Sequence, residues 1–305
     1  MTLNATVDWS VKQWELTASA QAVGPFVRAG FLKAWWSSFG TPDEPLEVVV
    51  DDTGLVPLWH TVDAIRFAGD PDLTDYHAPL GIDGSQLLVD FVLSRSRGTS
   101  YVFDSMPEEA ASSIAAFFSY QGVDVEPQQH AVAMRLALPI SFDEYLMSIG
   151  KKQRHEMRRK VRRFAEQLGD PILTEGDAFD DLELFFSFHR QAEGDKGTFM
   201  TETRADFFRE LLKIDGARLD VLRDGSGEPV AASFGFVDAD AYYLYNSAYD
   251  PAKADTSPGI VMLSMLIEQA IGHERRWFDF LKGDETYKYR LGAEERPLYQ
   301  VSGIQ

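Results

Sequence analysis

Apolar positions along the chain switch between a spacing of about 3.6 residues and one of 2, so helices and strands alternate. Residues 25–39 place Phe31, Trp35 and Phe39 on one helical face. Residues 46–51 are rich in valine and read as a strand, and 55–61 and 65–68 continue the sheet. An amphipathic helix follows at 85–95, then a strand at 101–103, a helix at 108–120 and a strand at 131–136. A boundary near Pro139 divides the chain into domains 1–140 and 141–305. Ser141 and Glu144 have capping-box spacing, in which each side chain satisfies a backbone N–H at a helix start. That helix breaks near Gly150. The next runs to Gly169, which suits the left-handed residue just past a helix end. Its Met157, Val161, Phe164 and Leu168 form an apolar stripe, so its arginines point away from the core or along its rim.

The second half has a clear order. A strand at 172–174 precedes helices at 180–191 and 204–214. Strands at 219–223, 230–237 and 242–249 form a meander with turns at 224–227 and 238–240. A loop leads into a helix at 259–271, a strand at 277–281, a polar loop and a last strand at 298–304. Such alternation predicts an α/β protein whose mixed sheet carries helices on its faces.

Composition narrows the chemistry. The chain has 305 residues, 45% of them hydrophobic, which is room for about two domains with real cores. No apolar run approaches the roughly 18 residues needed to span a bilayer, and the first residues lack a signal-peptide pattern. The expectation is a cytoplasmic protein without membrane insertion. There is no cysteine, which removes disulfides, thiolate catalysis and Cys-ligated zinc. The histidines lack H-E-x-x-H spacing, so no metal is expected, and no Walker A, G-x-S-x-G or G-x-G-x-x-G motif occurs. The net charge of −19 argues against nucleic acid as a partner. One segment departs from it: residues 151–163, KKQRHEMRRKVRR, are almost wholly basic. This helix is the first place to look for a bound anion, although a solvated basic face has the same composition.

Three further regions can carry chemistry. At 255–260 the sequence DTSPGI suits Ser257 as N-cap and Pro258 as first helical residue. The N–H groups of Gly259, Ile260 and Val261 would then be available to an anion; an ordinary capped helix reads the same way. At 278–290, FDFLKGDETYKYR, a strand end opens into a charged glycine turn. There Lys288 can hold a substrate carbonyl or developing oxyanion, and Asp284 or Glu285 can take a proton from an amine. The same charges can instead close into an ion-pair network with Asp279 and Arg290. Alternation over 241–249 puts Tyr243, Tyr245 and Ser247 on one face, and Tyr242, Leu244 and Asn246 on the other. One face can line a cleft; aromatic packing explains them equally. His189, among Phe185, Phe186 and Phe188, reads either as a base or as core.

These segments carry a resemblance. The basic run, GEPVAASFGFVDADAYYLYNSAYDP, SPGIVMLSMLIEQAIGHER and WFDFLKGDETYKYRLGAEERPL are similar to the FemAB-like, CelD-type branch of the GNAT acyltransferase superfamily. PFVRAGFLKAWWSSFG and IRFAGDPDLTDYHAPLG look like the first half of the same proteins. The order of elements in the second half matches the GNAT core. The resemblance implies two tandem GNAT-like domains, each a mixed, largely antiparallel twisted sheet flanked by helices, with a cleft near their junction. It implies acyl transfer to an amine of a small-molecule or cell-envelope precursor, with acyl-CoA (acetyl-CoA) as co-substrate and no metal. Cross-bridge relatives use aminoacyl-tRNA instead, and a non-catalytic binding module is a third possibility. In those relatives a lysine matching Lys288, beside Tyr287, contacts the reacting carbonyl. By analogy Asp75 and Tyr76 face the cleft from the first half. The usual glycine-rich phosphate loop is replaced here by ADTSPG, which shifts the expected cofactor contacts toward Arg158 and Arg162 of the basic helix.

Overall fold

The computed structural model describes residues 7–176 and 178–305. The chain forms two compact units, Met1–Ala133 with Arg296–Gln305, and Met134–Glu295. Among the described residues, no helix is long and apolar enough to cross a membrane.

The first unit contains α1 (Ala29–Phe39), β1 (Leu46–Val50), β2 (Gly54–His60), β3 (Ile65–Phe67), β4 (Leu80–Gly81), α2 (Gly84–Leu93), β5 (Ser100–Pro107) and α3 (Glu108–Tyr120). Helix α1 starts later than its apolar spacing predicts. Gly24–Val27 is a 3-10 turn and Arg28 is extended, because its guanidinium turns back to donate to the carbonyls of Trp14 and Leu16 at 3.0 and 2.7 Å. β1, β2 and β3 are antiparallel neighbours, and β3 runs parallel to β5. Trp35 of α1 is fully buried, edge-on to Trp59 of β2.

The second unit follows β6 (Gln128–Ala137). It contains α4 (Phe142–Ser148), α5 (Lys151–Leu168), β7 (Ile172–Glu175), α6 (Ala178–Gln191), α7 (Asp195–Phe199), α8 (Glu202–Leu211), β8 (Ala217–Arg223), β9 (Pro229–Val237), β10 (Ala241–Tyr249), α9 (Pro258–Gly272), β11 (Trp277–Lys282) and α10 (Thr286–Arg290). Strands β7 to β10 form an antiparallel meander, and β11 adds to β10 in parallel. The resulting mixed α/β architecture is the one expected. The Ser141 hydroxyl accepts from the Glu144 N–H, one half of the predicted box. Gly169 closes α5 at φ +78°, where an added Cβ would meet the Gly225 backbone at 2.9 Å. The last strand, β12 (Glu294–Ile304), is expected in the second half. It pairs instead with β5 of the first unit, Leu298 opposite Pro107 and Ile304 opposite Ser100. A partner so distant in sequence leaves no local signal.

Two apolar layers sandwich the strands of the second unit. On one side α6 and α8 set Phe185 and Phe208 against Phe234 and Tyr245, with ring centroids 5.0 to 5.6 Å from Phe208. Phe208 has no solvent exposure. Phe208→Ala is therefore expected to cost about 3–5 kcal/mol of stability, read by urea denaturation. On the other side lies α9, apolar almost all round, with α5 packed outside it: the Ser264 hydroxyl donates to the Met157 sulfur at 3.4 Å.

Candidate active site

Strands β10 and β11 are paired only from Ala241↔Trp277 to Tyr243↔Asp279, although β10 runs on to Tyr249 and β11 to Lys282. At the same point β10 bulges. Leu244 lies opposite Gly235, but Asn246, not Tyr245, lies opposite Phe234. The extra residue ends the simple alternation predicted for this strand and bends it. The carboxyl ends of two adjacent parallel strands thus lose their register, which is where ligands enter open α/β sheets.

Beyond β11 the chain turns sharply. Leu281 takes φ +61° and Gly283 φ +102°. A non-glycine residue held there is strained unless its surroundings fix it. The fully buried Asp279 accepts the Leu281 N–H at 2.8 Å. Lys288, only 2% exposed, holds the other side. Its Nζ donates to the carbonyls of Lys282 at 2.7 Å, Gly283 at 3.1 Å and Leu281 at 3.4 Å, and lies 2.8 Å from Glu285 Oε2. An ammonium has three protons, and here protein oxygens already surround it. The closed network that the sequence allowed is realised between Lys288 and Glu285. Asp284 stands exposed at the turn.

Helix α10 then presents Tyr287, half-buried and edge-on to Phe280. Burial, with the Glu285 charge added, pushes its phenol well above the usual value. The hydroxyl stays a proton donor. The neighbouring Tyr289 is raised to about 12, mainly because its hydroxyl is bonded to Glu295.

Tyr287 opens into a cleft of about 360 Å³ that also involves α5 and the first turn of α9. Lys152, Gln153, Glu156, Met157 and Lys160 line it from α5, Ile260 from α9, and Tyr287, Arg290 and Leu291 from α10 and the residue after it. Among the described residues Lys152, Lys160 and Arg290 make no ion pair. Glu156 is held by Arg159, whose two nitrogens donate at 2.7 and 2.9 Å. That bond lowers the Glu156 pKa against a desolvation that raises it, and Arg159, Lys160 and Arg290 lower it further by charge.

The cations that face the cleft are not the expected ones. Arg158 and Arg162 are exposed and absent from the lining, and Arg162 sits 3.6 Å from Glu166. Met157 and Phe164 fix the buried side of α5, and at 100° per residue that side is flanked by 153 and 160 rather than by 158 and 162. The α9 tip is also corrected. Ser257 is left-handed at φ +57° and its side chain makes no cap. Its carbonyl accepts the N–H groups of Ile260 at 3.1 Å and Val261 at 3.2 Å. Those two donors are spent within the helix, and of the expected trio only Gly259 keeps an N–H with no partner among the described residues.

The remaining expected residues lie elsewhere. His189 is 1% exposed, edge-on to Phe185 at 4.7 Å and tilted against Phe199 at 5.7 Å, in the aromatic core. Tyr245 packs on Phe208 and Phe236 in the same cluster. Asn246 turns its Oδ1 to the Ser247 N–H at 2.8 Å. Tyr76 is fully buried in the first unit beneath the Arg296 guanidinium, 5.0 Å from its ring, and Asp75 is half-buried beside it. Among the described residues no three acidic or histidine side chains gather as metal ligands. Sequence reasoning passed over Lys152 and Lys160, and gave Arg290 only an ion-pair role. The helical phase of Met157 was the signal for Lys160; Lys152, five residues before Met157, is out of phase with it and had none.

Residues 151–289 match the family described as acetyltransferase (GNAT) domain. FemX shares the fold over 96% of this chain and 94% of its own, with a TM-score of 0.63 at 11% identity. A conserved protein of unknown function from Bacteroides thetaiotaomicron gives 0.66 at 13% identity, covering 96% and 95%. L-PGS from Bacillus licheniformis gives 0.59 at 15%, covering 88% and 90%. Comparison with curated proteins finds no match.

Proposed function

We propose that the protein is an N-acyltransferase that moves an acyl group from acyl-CoA, such as acetyl-CoA, directly to an amine. The observation that carries this reading is the parting of β10 and β11 after Tyr243 and Asp279, with a bulge at Tyr245. A thioester laid between those strand ends would lie beside β11, whose Phe280 meets the ring of Tyr287. The amine nitrogen attacks the carbonyl carbon, the carbon–sulfur bond breaks, and the sulfur leaves with the electron pair. Tyr287, held protonated, donates to the developing negative charge. The amine proton passes to solvent or to the exposed Asp284. Lys288 acts one step back: its ammonium fixes the carbonyls of the turn from which α10 and Tyr287 emerge. The GNAT match supports the reaction class.

The fold likeness to FemX favours a second reading, in which the donor is aminoacyl-tRNA. The net charge of −19 weighs against a broad RNA surface. Calorimetric titration with acetyl-CoA and longer acyl-CoAs is expected to give saturable heat below millimolar ligand. No heat with any of them, together with salt-sensitive retention of aminoacyl-tRNA on filters, would overturn the first reading in favour of the second.

A further inference from the structure

We infer that the α5–α9–α10 cleft grips the phosphate-bearing end of a small-molecule donor through the side chains of Lys152, Lys160 and Arg290. This rests on the acyl-CoA reading of the neighbouring strand ends. It moves anion recognition off the α9 backbone and onto helix α5, whose basic composition the acyl-transfer chemistry leaves unexplained.

Three observations converge. First, the protein carries a net charge of −19, and several cations of its second unit hold carboxylates: Arg159, Arg209 and Arg218 each do so within 2.8 Å. Lys152, Lys160 and Arg290 do not, yet all three line one cleft. Like charges gathered on one concave surface repel unless an anion joins them. The single acid in the lining, Glu156, accepts its hydrogen bonds from Arg159; it shares its one negative charge with Lys160 and Arg290 and leaves the lining net positive. Second, the α9 tip cannot serve as the main phosphate cradle. Its Ile260 and Val261 N–H groups already bond Ser257, and Pro258 has none to give. Third, the cleft has an apolar floor of Met157, Ile260 and Leu291 beside the Tyr287 ring. At about 360 Å³ it accepts a phosphorylated heterocycle rather than a bare ion. Two lysines and an arginine around such a floor suit a polyanionic nucleotide: the lysines act as mobile point charges and the arginine as a planar fork.

The probe is adenosine 3′,5′-bisphosphate, with inorganic pyrophosphate and a short RNA ending in CCA as comparison arms. Binding is followed by calorimetry at low and at physiological salt. The wild-type protein is expected to bind the bisphosphate more tightly than pyrophosphate, and salt is expected to weaken it. The triple variant K152Q/K160Q/R290Q is expected to lose at least about tenfold in affinity, while retaining its circular-dichroism melt. R158Q/R162Q, on the outer face of the same helix, is expected to bind as wild type does. Equal binding by the triple variant and the wild type would overturn the inference even if acyl-CoA proved to be the donor. Bisphosphate binding lost in the triple variant, with no acyl transfer from any acyl-CoA, would uphold the anion site and reject the donor reading. RNA bound more tightly than the bisphosphate, with a steeper salt dependence, would overturn the small-molecule assignment.

Discussion

Lys288→Met lowers the stability of the protein by about 3 kcal/mol and abolishes turnover with it. The side chain is 2% exposed, and its ammonium is the donor shared by the carbonyls of Leu281, Lys282 and Gly283 and by Glu285. Methionine fills the space but leaves those acceptors without a partner. A buried acceptor stripped of its donor costs about 1–3 kcal/mol, and removing one member of a buried charged pair about 3–5 kcal/mol. Because Glu285 is more than half exposed, water recovers part of the loss, which places the expectation near the lower end. Lys288→Arg is no rescue: a planar fork cannot aim three donors at carbonyls that converge on one point. Urea denaturation checks the first part and initial rates the second. A variant with unchanged stability and turnover would show that the cage is incidental.

Tyr287→Phe is expected to behave differently, keeping the fold and losing turnover by about a hundredfold. The ring stays to pack against Phe280, and only the proton donor is removed. The pH profile separates this role from a structural one. Burial and the Glu285 charge raise the phenol above its ordinary value, so it remains neutral through the working range. The wild-type rate should therefore show no falling limb from this group up to about pH 10. The sign for stability follows from the same shift. The folded state holds this proton more tightly than the unfolded chain, so its contribution is whole below about pH 10 and is lost as pH rises through the folded value. Phenylalanine at 287 removes that alkaline loss of stability. A variant with full activity would eliminate Tyr287 as the donor.

Much of the second unit was legible in its sequence, because the features involved are local. Met157 and Phe164 on α5, the continuous apolar run of α9, and the turns at Asp224 and Asp238 each declare an element within a few residues of themselves. What escaped depends on partners that no period encodes. Ser257 and Pro258 look like a capped helix start, but the left-handed Ser257 turns its carbonyl inward and engages the donors that an anion would need. The bulge at Tyr245 comes from the ladder with β9 and has no signature of its own. Lys288 reads as a reactive cation in a charged loop. Only the fold of the Leu281–Gly283 turn around it shows that its protons are in use. Lys160 lay within reach of helical arithmetic once Met157 is set inward, whereas Lys152, five residues from Met157, did not. The eye is drawn instead to the arginines, which face outward.

A determined structure of the complex with a non-hydrolysable acetyl-CoA analogue tests the central claim most directly. The acyl carbonyl is expected between the ends of β10 and β11, within hydrogen-bonding distance of the Tyr287 hydroxyl, with the phosphates on Lys152, Lys160 and Arg290. An analogue bound away from the β10–β11 opening, with Tyr287 untouched, would contradict it.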